Sequence, residues 1–306
     1  MSNRLGALDG RVAAAPISWG VCEVPGWGEM LPPSRVLPEM RSLGLSATEL
    51  GAPGFLPSGA GALVGELDRY GMSLVGGFVP LVLHDAGQRA ETLRMARATA
   101  ELFQAAGAAM FVTAVVQDYD WSRPEALDAE GMKVLAEGLA AVDDLCAEYG
   151  LTQVLHPHVD TLVETAADVE LALEHTAVRW CLDTGHLRIG GVDPVQFARE
   201  HGHRVGHVHL KDVKTSLAGR VLTRELSLLG AVQHGLFQPL GSGDVAVDDV
   251  VLALEGLGYQ GWYVLEQDTA LTQGVPAEGS GPVQDVRACL EYLQQVTSRL
   301  PAAQVP

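Results

Sequence analysis

Short apolar runs alternate along the chain with longer stretches in which apolar residues recur every three or four positions. The runs predict strands and the periodic stretches predict helices. The runs are nearly continuous, which is typical of parallel strands covered on both faces. The predicted strands are 11–18, 47–50, 73–79, 109–116, 152–156, 178–182, 205–210 and 261–266. The predicted helices are 33–43, 59–70, 88–106, 130–149, 166–175, one beginning at Asp193-Pro194, 247–257 and 283–299.

Eight strand–helix units in series predict an α/β fold, a (β/α)8 TIM barrel that forms a single domain over residues 1–306. The alternative is an open doubly wound sheet, which usually carries a Gly-x-Gly-x-x-Gly turn after its first strand. Residues 18–22 do not match that turn. Residues 213–246 interrupt the series as an irregular, glycine-rich insertion. This insertion either caps the site or forms a subunit contact.

The net charge of −18 narrows the classes of partner. Lys and Arg are few and scattered, so neither nucleic acid nor an anionic membrane surface is an expected partner. A small, uncharged substrate is favoured. The sequence does not determine whether the chain forms a homo-oligomer. The N-terminal residues lack the apolar core of a secretion signal, and no apolar run reaches the roughly 20 residues of a membrane helix. We therefore expect a cytoplasmic protein.

The four cysteines are widely spaced and form no Cys-x-x-Cys pair, which excludes zinc-ribbon and thioredoxin-like interpretations. Cys146 and Cys181 lie inside apolar runs and are expected to be buried. Cys22, just past a predicted strand, is ambiguous. This usage favours a reducing compartment.

Four predicted strands, the fifth to the eighth, end in side chains that commonly bind metals. These are His156, Asp183, His209 and Glu266, at intervals of 27, 26 and 57 residues. A repeat in such a barrel averages about 30 residues, so neighbouring strands each offer one ligand at the same height. Two imidazoles and two carboxylates suit Mn²⁺ or Co²⁺, with Zn²⁺ or Fe²⁺ as alternatives, better than Ca²⁺ or Mg²⁺. The sequence therefore predicts a divalent metal site.

Six motifs carry a resemblance to a known family. They are Pro16–Trp19, Thr48–Gly51, His156–His158, Asp183–His186, His207–Asp212 and Gly261–Asp268. Together they resemble the xylose isomerase-like TIM barrel superfamily, which includes sugar epimerases, endonuclease IV and inosose dehydratases. The His-x-His and Glu-Gln-Asp pieces are most similar to the inosose (2-keto-myo-inositol) dehydratases.

The resemblance implies that Asp183, His209 and Glu266 bind a divalent metal and that His186 contacts the substrate. In the epimerases of this superfamily, the strand-five ligand is a glutamate that also transfers a proton. Here His156 stands at that place. The difference weakens an epimerase interpretation but leaves the metal site intact.

Dehydration next to a ketone needs a Lewis acid at the carbonyl, a base for the α-proton and an acid for the departing hydroxyl. The metal would supply the first. The candidates for proton transfer all lie at or just beyond strand ends. They are His158, His186, Lys211 and Glu49.

Several of these residues have a second interpretation. A metal beside Lys211 would lower its pKa, or else the side chain forms a salt bridge with Asp212. Glu49 can instead anchor a substrate hydroxyl. Trp19 either walls the site as a substrate-binding residue or packs in the core. Residues 118–120 are expected to be a solvated loop, although this loop faces the site end.

The main hypothesis is a metal-dependent carbon–oxygen lyase. It would remove water from a keto-cyclitol such as 2-keto-myo-inositol through a metal-stabilised enediolate. The alternative is a sugar or inosose isomerase or epimerase on the same metal site, and either enzyme has a small polyol or keto-sugar as its partner. A non-catalytic sugar-binding barrel is a third possibility. An endonuclease IV-like nuclease is distant, because the acidic balance opposes a basic groove.

Overall fold

The computed structural model describes residues 5–300. The ends of the predicted domain, 1–4 and 301–306, lie outside the described residues. The strands are β1 (Val12–Ala14), β2 (Ala47–Thr48), β3 (Ser73–Leu74), β4 (Phe78–Leu81), β5 (Met110–Val115), β6 (Thr152–Leu155), β7 (Arg179–Asp183), β8 (Val205–Leu210), β9 (Asp212–Val213), β10 (Phe237–Gln238) and β11 (Tyr263–Leu265). The α-helices are α1 (Pro33–Ser42), α2 (Ala60–Arg69), α3 (Arg89–Ala105), α4 (Ala129–Glu148), α5 (Ala166–His175), α6 (Thr184–Ile189), α7 (Pro194–His201), α8 (Thr215–Leu222), α9 (Leu228–Gln233), α10 (Val247–Gly256) and α11 (Pro282–Thr297).

The main sheet is a closed parallel barrel. Its strand order is β3-β2-β1-β11-β8-β7-β6-β5-β4, and each pair of neighbours is parallel. The first and last strands of this order, β3 and β4, are consecutive in the chain and form two parts of one barrel strand. Between them, the backbone N–H of Val75 donates to Thr48 on one side, and its carbonyl accepts from Met110 on the other. The barrel therefore has eight strand positions, and the predicted single-domain TIM barrel is confirmed.

Several predicted strands are shorter in the structure, and for two of them the physical reason is clear. The third, 73–79, is interrupted at Gly76, where a Cβ atom would lie 2.2 Å from the carbonyl oxygen of Met110. Only glycine permits this approach. The first, 11–18, ends at Ala14, because Pro16 begins a 3₁₀ helix that runs to Trp19. A proline at the first position of a helix has the backbone angle that the helix needs.

The interior of the barrel is packed with small apolar side chains below a polar layer. Side chains two apart on a strand share a face. On β7, Cys181 and Asp183 therefore both point inward, as do His207 and His209 on β8. The apolar layer consists of Ala13, Ala15, Ala47, Val75, Met110, Val112, Val154, Cys181 and Val264. The next inward positions toward the carboxyl ends hold the polar side chains, which is where barrel enzymes build their sites.

The insertion is more regular than the sequence suggests. Residues 213–246 include α8, α9 and strand β10, which pairs antiparallel with β9. Asp212 anchors the segment, because its carboxylate accepts hydrogen bonds from the backbone N–H groups of Gly241, Gly243 and Val245 at 2.9–3.0 Å. The expectation of an irregular stretch was therefore wrong, since the buried Asp212 carboxylate fixes the backbone at its end and two helices form within it.

The helices otherwise lie where the hydrophobic period places them. The predicted start at Asp193-Pro194 is confirmed, because the Asp193 side chain accepts from the backbone N–H of Val195 at 2.8 Å. The short helix α6, directly after β7, was not predicted. The cysteines are all buried and unpaired. Among residues 5–300, the helices are too short or too polar to cross a bilayer.

Candidate metal centre and active site

Four side chains at the carboxyl ends of neighbouring barrel strands lie together in one cluster. They are His156, Asp183, His209 and Glu266, and their ligand atoms all lie within 4.8 Å of one another. His156 Nε2 lies 3.2 Å from Asp183 Oδ2 and 3.2 Å from His209 Nδ1. His209 Nδ1 lies 2.7 Å from Glu266 Oε2. The structure thus brings together the four residues that the sequence predicts as ligands.

The chemistry of this donor set fits a divalent cation. Ligands on tetrahedral bonds of about 2.1 Å stand about 3.4 Å apart, close to most of the separations in the cluster. His209 Nε2 faces the carboxylate of Glu49 at 3.1 Å, so in the neutral ring its Nδ1 presents a lone pair. That lone pair faces Glu266 Oε2, and two acceptors at 2.7 Å need a proton or a metal ion between them.

Asp183 serves the cluster and the fold at once. Its Oδ2 atom faces His156, and its Oδ1 atom accepts the backbone N–H of His186 at 2.7 Å as the N-cap of α6. The cap holds the carboxylate in one orientation, with one oxygen turned into the cluster. The same interaction places His186 at the rim.

Two further groups of side chains have ligand atoms close enough for a metal. One replaces the carboxylates with Cys181, and the other combines Glu49, His207 and His209. Burial raises the pKa of the Cys181 thiol to about 11, and a protonated thiol is a poor ligand. Glu49 and His207 already satisfy each other at 2.8 Å. The predicted set is therefore the best candidate.

His158 lies beside the cluster as a neutral imidazole with one nitrogen free. Its Nδ1 atom donates to the carbonyl oxygen of Val159 at 2.6 Å. Among the described residues, no hydrogen bond to its Nε2 atom is seen. Burial, with the positive fields of His156 and Lys211, lowers the pKa of His158 to about 3. A neutral ring with one free lone pair can accept a proton.

His186 and Lys211 lie together on the other side of His158. The His186 ring packs on His158 with 3.9 Å between the centroids, and its Nε2 atom lies 3.4 Å from Lys211 Nζ. Both side chains are buried. Burial and the neighbouring His158 hold the pKa of His186 well below its usual value, so the ring is neutral.

Lys211 forms ion pairs that the sequence did not predict. Its ammonium donates to Asp268 Oδ1 at 2.5 Å and lies 3.1 Å from Glu266 Oε2. Burial alone would lower the pKa of Lys211, but Asp268, Glu266 and Asp183 outweigh it and raise the pKa. The expected salt bridge to Asp212 was wrong, because the Asp212 carboxylate instead accepts hydrogen bonds from backbone N–H groups. The lower Lys211 pKa expected beside a bound metal ion stays a prediction.

Asp268 is a site residue that the sequence reasoning did not assign. It is buried, and burial raises its pKa to about 6 against the opposing field of Lys211. The Glu-Gln-Asp motif was the available signal, since Asp268 and Glu266 are two apart and share a face.

Two other predicted residues lie away from the mouth of the site. Glu49 is only 3% exposed and lies under His209, where its Oε1 atom faces His207 Nε2 and His209 Nε2. Trp19 is fully buried, and its indole N–H donates to Glu39 in α1 at 2.8 Å. The expectation that Trp19 walls the site was wrong, because this side chain packs in the core.

An aromatic pair packs against His158 beside the cluster. Phe78 and Trp121 stack with 6.2 Å between the ring centroids and 11° between the planes. Both also contact His158, and both are partly exposed. Trp121 has a φ of 57°, which is unusual for a bulky residue and typical of functional loops. Neither residue was predicted, since Phe78 read as a strand position and Trp121 as the edge of a solvated loop.

The insertion lies against the same mouth. The ring of Phe237 is 5.1 Å from Lys211 Nζ and 6.2 Å from the His186 ring. At the end of α8, Arg224 donates to Asp160 at 2.7 Å and to Glu164 at 2.6 Å. These contacts join the insertion to the loop that begins with His156, directly after β6.

The protein is a TIM barrel with histidines and carboxylates at the carboxyl ends of its strands. TIM-barrel enzymes have their active sites at this end. The model of the xylose isomerase-like TIM barrel family matches residues 37–295. The chain belongs to this family, as its motifs suggested.

Curated relatives and solved structures agree with this assignment. The chain is 29% identical to inosose dehydratase of Geobacillus kaustophilus (strain HTA426) over 308 residues, which cover 96% of this chain and 97% of that protein. It is 30% identical to the rhizopine catabolism protein MocC of Rhizobium meliloti, over 87% of this chain and 84% of that one. The structure of L-ribulose 3-epimerase superposes with a TM-score of 0.68 at 17% identity, over 97% of this chain and 99% of that chain.

Proposed function

We propose that the protein is a divalent-metal-dependent dehydratase, a carbon–oxygen lyase, that removes water from a keto-cyclitol such as 2-keto-myo-inositol. The single observation that carries the proposal is a neutral imidazole with a free nitrogen, on His158, beside a convergent set of two imidazoles and two carboxylates. The similarity to inosose dehydratase along almost the whole chain gives the substrate class.

The four convergent residues His156, Asp183, His209 and Glu266 would hold the ion. A bound Mn²⁺ or Co²⁺, or Zn²⁺ or Fe²⁺ in their place, would polarise the substrate carbonyl and offset negative charge on its oxygen. The protein would hold the substrate ring against this cluster.

His158 is the proposed base. Its Nδ1–H is held by the carbonyl of Val159, which leaves Nε2 to take the proton from the carbon next to the ketone. The electron pair of that C–H bond forms the double bond between the α- and β-carbons, and the C–O bond of the β-carbon breaks with its electron pair leaving on the hydroxyl group. Phe78 and Trp121 would shield this side of the site and pack on the apolar edge of the ring.

Lys211 and His186 are the proposed source of the proton for the departing hydroxyl. Their side chains meet at 3.4 Å, and Asp268 and Glu266 keep the Lys211 ammonium charged. One proton leaves the substrate carbon and one joins the hydroxyl, so a molecule of water is released. The enol that remains tautomerises to a conjugated dione.

The test is a direct assay of the purified chain. It is incubated with 2-keto-myo-inositol and Mn²⁺ or Co²⁺, and formation of the conjugated dione is followed in the ultraviolet. We expect absorbance to rise only with the ion present and to stop on addition of a chelator. A metal-loaded protein that produces no absorbance change would contradict the proposal.

The isomerase or epimerase alternative predicts a different product mass. Solvent deuterium would enter carbon-bound positions while the mass of water is retained, whereas the dehydratase loses 18 mass units, one water. His156 stands where the epimerases of the superfamily are expected to hold a glutamate, which favours the lyase. Binding of a sugar without any change in mass would point to a non-catalytic barrel.

A further inference from the structure

One buried carboxylate touches two histidines of the same strand. Glu49 Oε1 lies 2.8 Å from His207 Nε2 and 3.1 Å from His209 Nε2. All three side chains are almost fully buried. Glu49 comes directly after β2, on the far side of β1 and β11 from β8, so its side chain reaches across the barrel to the histidines.

The geometry decides where the imidazole protons lie. An ionised carboxylate accepts hydrogen bonds and donates none, so both Nε2 atoms that face Glu49 must carry a proton. His207 then presents an unprotonated Nδ1, and this buried atom has no hydrogen-bond partner in the part of the chain that the structure describes. His209 turns its own Nδ1 toward His156 Nε2 at 3.2 Å and Glu266 Oε2 at 2.7 Å.

We infer that Glu49 is a positioning residue that fixes the tautomer and ring orientation of His209, so that Nδ1 is the atom offered to the metal. A carboxylate that accepts the second N–H of a ligand imidazole is a recurrent way to orient such a ligand. This assignment replaces the catalytic and substrate-binding roles predicted for Glu49 from the sequence. It rests on the proposed metal site and not on the proposed substrate.

The same three residues have a rival explanation, because their ligand atoms are also close enough to hold a metal ion of their own. That arrangement would remove the Nε2 proton of His209 and place one ion on each side of its ring. The two explanations differ in the number of ions per chain and in the protonated nitrogen of His209.

The experiment measures both quantities without substrate. Histidine is labelled with ¹⁵N in the full chain, and long-range ¹H–¹⁵N spectra report which ring nitrogen of His209 carries a proton. The signal is assigned by its loss in H209Q. Calorimetric titration with Mn²⁺, together with elemental analysis, gives affinity and stoichiometry. We expect one ion per chain and a protonated Nε2 in the wild type.

Variants separate the hydrogen bond from charge and packing. E49L removes the acceptor and should weaken Mn²⁺ binding about 10- to 100-fold while the His209 signal becomes a mixture of tautomers. E49Q keeps an oxygen at the same place and should retain most of the wild-type tautomer and affinity. H207Q keeps a donor to Glu49 and should still bind one ion.

Several results would overturn the inference. If His209 in the wild type carries its proton on Nδ1 alone, the inference is wrong, whether or not any variant folds. Two ions in the wild type and one in H207Q would establish the rival site. Equal losses of Mn²⁺ affinity in E49Q and E49L would mean that the charge of Glu49, and not its hydrogen bond to His209, supports metal binding. An inactive wild type with the expected tautomer would count against the proposed substrate only.

Discussion

Asp183 accepts the backbone N–H of His186 at 2.7 Å through one carboxylate oxygen and faces the cluster of proposed metal ligands with the other. The helix cap and the proposed ligand are therefore one side chain. Such coupling means that a substitution can separate the two roles only if it keeps the capping oxygen.

D183N meets that condition, because Asn caps helices about as well as Asp. We expect its unfolding free energy to stay within about 1 kcal/mol of the wild type, while Mn²⁺ affinity falls at least about 10-fold. Calorimetric titration and denaturant unfolding measure the two effects. D193N is the matched control, since Asp193 caps α7 away from the cluster. If D183N bound Mn²⁺ as D193N does, Asp183 would not be a ligand.

H158Q tests the proposed base. Loss of a general base slows the chemical step by about 10²- to 10⁴-fold, and the four proposed metal ligands are untouched. We therefore expect kcat to fall by that factor with Mn²⁺ affinity unchanged. Exchange of the substrate α-hydrogen with deuterated solvent should fall in parallel. H175Q, on the exposed end of α5, is the control and should keep wild-type kcat. Undiminished exchange in H158Q would assign the base elsewhere.

Much of the barrel and its polar layer could be predicted because both follow from periodicity. Small or apolar inward positions such as Val154 and Cys181 are followed two residues later by His156 and Asp183. A period of two on parallel strands places such pairs in successive layers. The convergence of the four predicted ligands required no information beyond strand ends and repeat length.

The residues that sequence reasoning missed, or gave the wrong contacts, depend on how segments distant in the chain come together. Trp121 reaches the site because its backbone adopts a left-handed conformation that no local pattern signals. Lys211 has Asp212 beside it in sequence but Asp268 beside it in space, since consecutive side chains on a strand point to opposite faces. Trp19 follows a proline that turns the chain into a 3₁₀ helix, which directs the indole into the core.

W121A tests the aromatic pair at the mouth. Trp121 touches the proposed base through ring contact alone and makes no hydrogen bond to the cluster among the described residues. Its loss should therefore weaken ground-state and transition-state binding alike, raising KM about 5- to 20-fold with kcat nearly unchanged. Steady-state kinetics decide this. Y119A, an exposed aromatic on the same loop, should leave KM as it is. A fall in kcat alone would show that Trp121 positions His158 instead.

The contact between Arg224 and Glu164 makes a prediction about pH. Glu164 is buried, and burial raises its pKa above the ordinary value of 4.5, against the opposing field of Arg224. Because its pKa is higher in the folded state than in the unfolded state, this carboxyl group stabilises the fold fully at a pH below its pKa in the unfolded chain. That contribution is lost as the pH rises through its pKa in the folded protein. R224Q removes the group that limits this loss, so its deficit relative to wild type should grow as Glu164 ionises.

We expect R224Q to unfold with nearly wild-type free energy at pH 4 and with about 2 kcal/mol less at pH 7, the usual value of a hydrogen bond to a charged group. Guanidinium unfolding at several pH values measures the difference, in which the other titrating groups cancel. The control is R220Q, because Arg220 forms a largely exposed pair with Glu225 at 3.7 Å that contributes little. A deficit equal at both pH values would mean that Arg224 acts through packing, or through the more exposed Asp160, and not through the charge of Glu164.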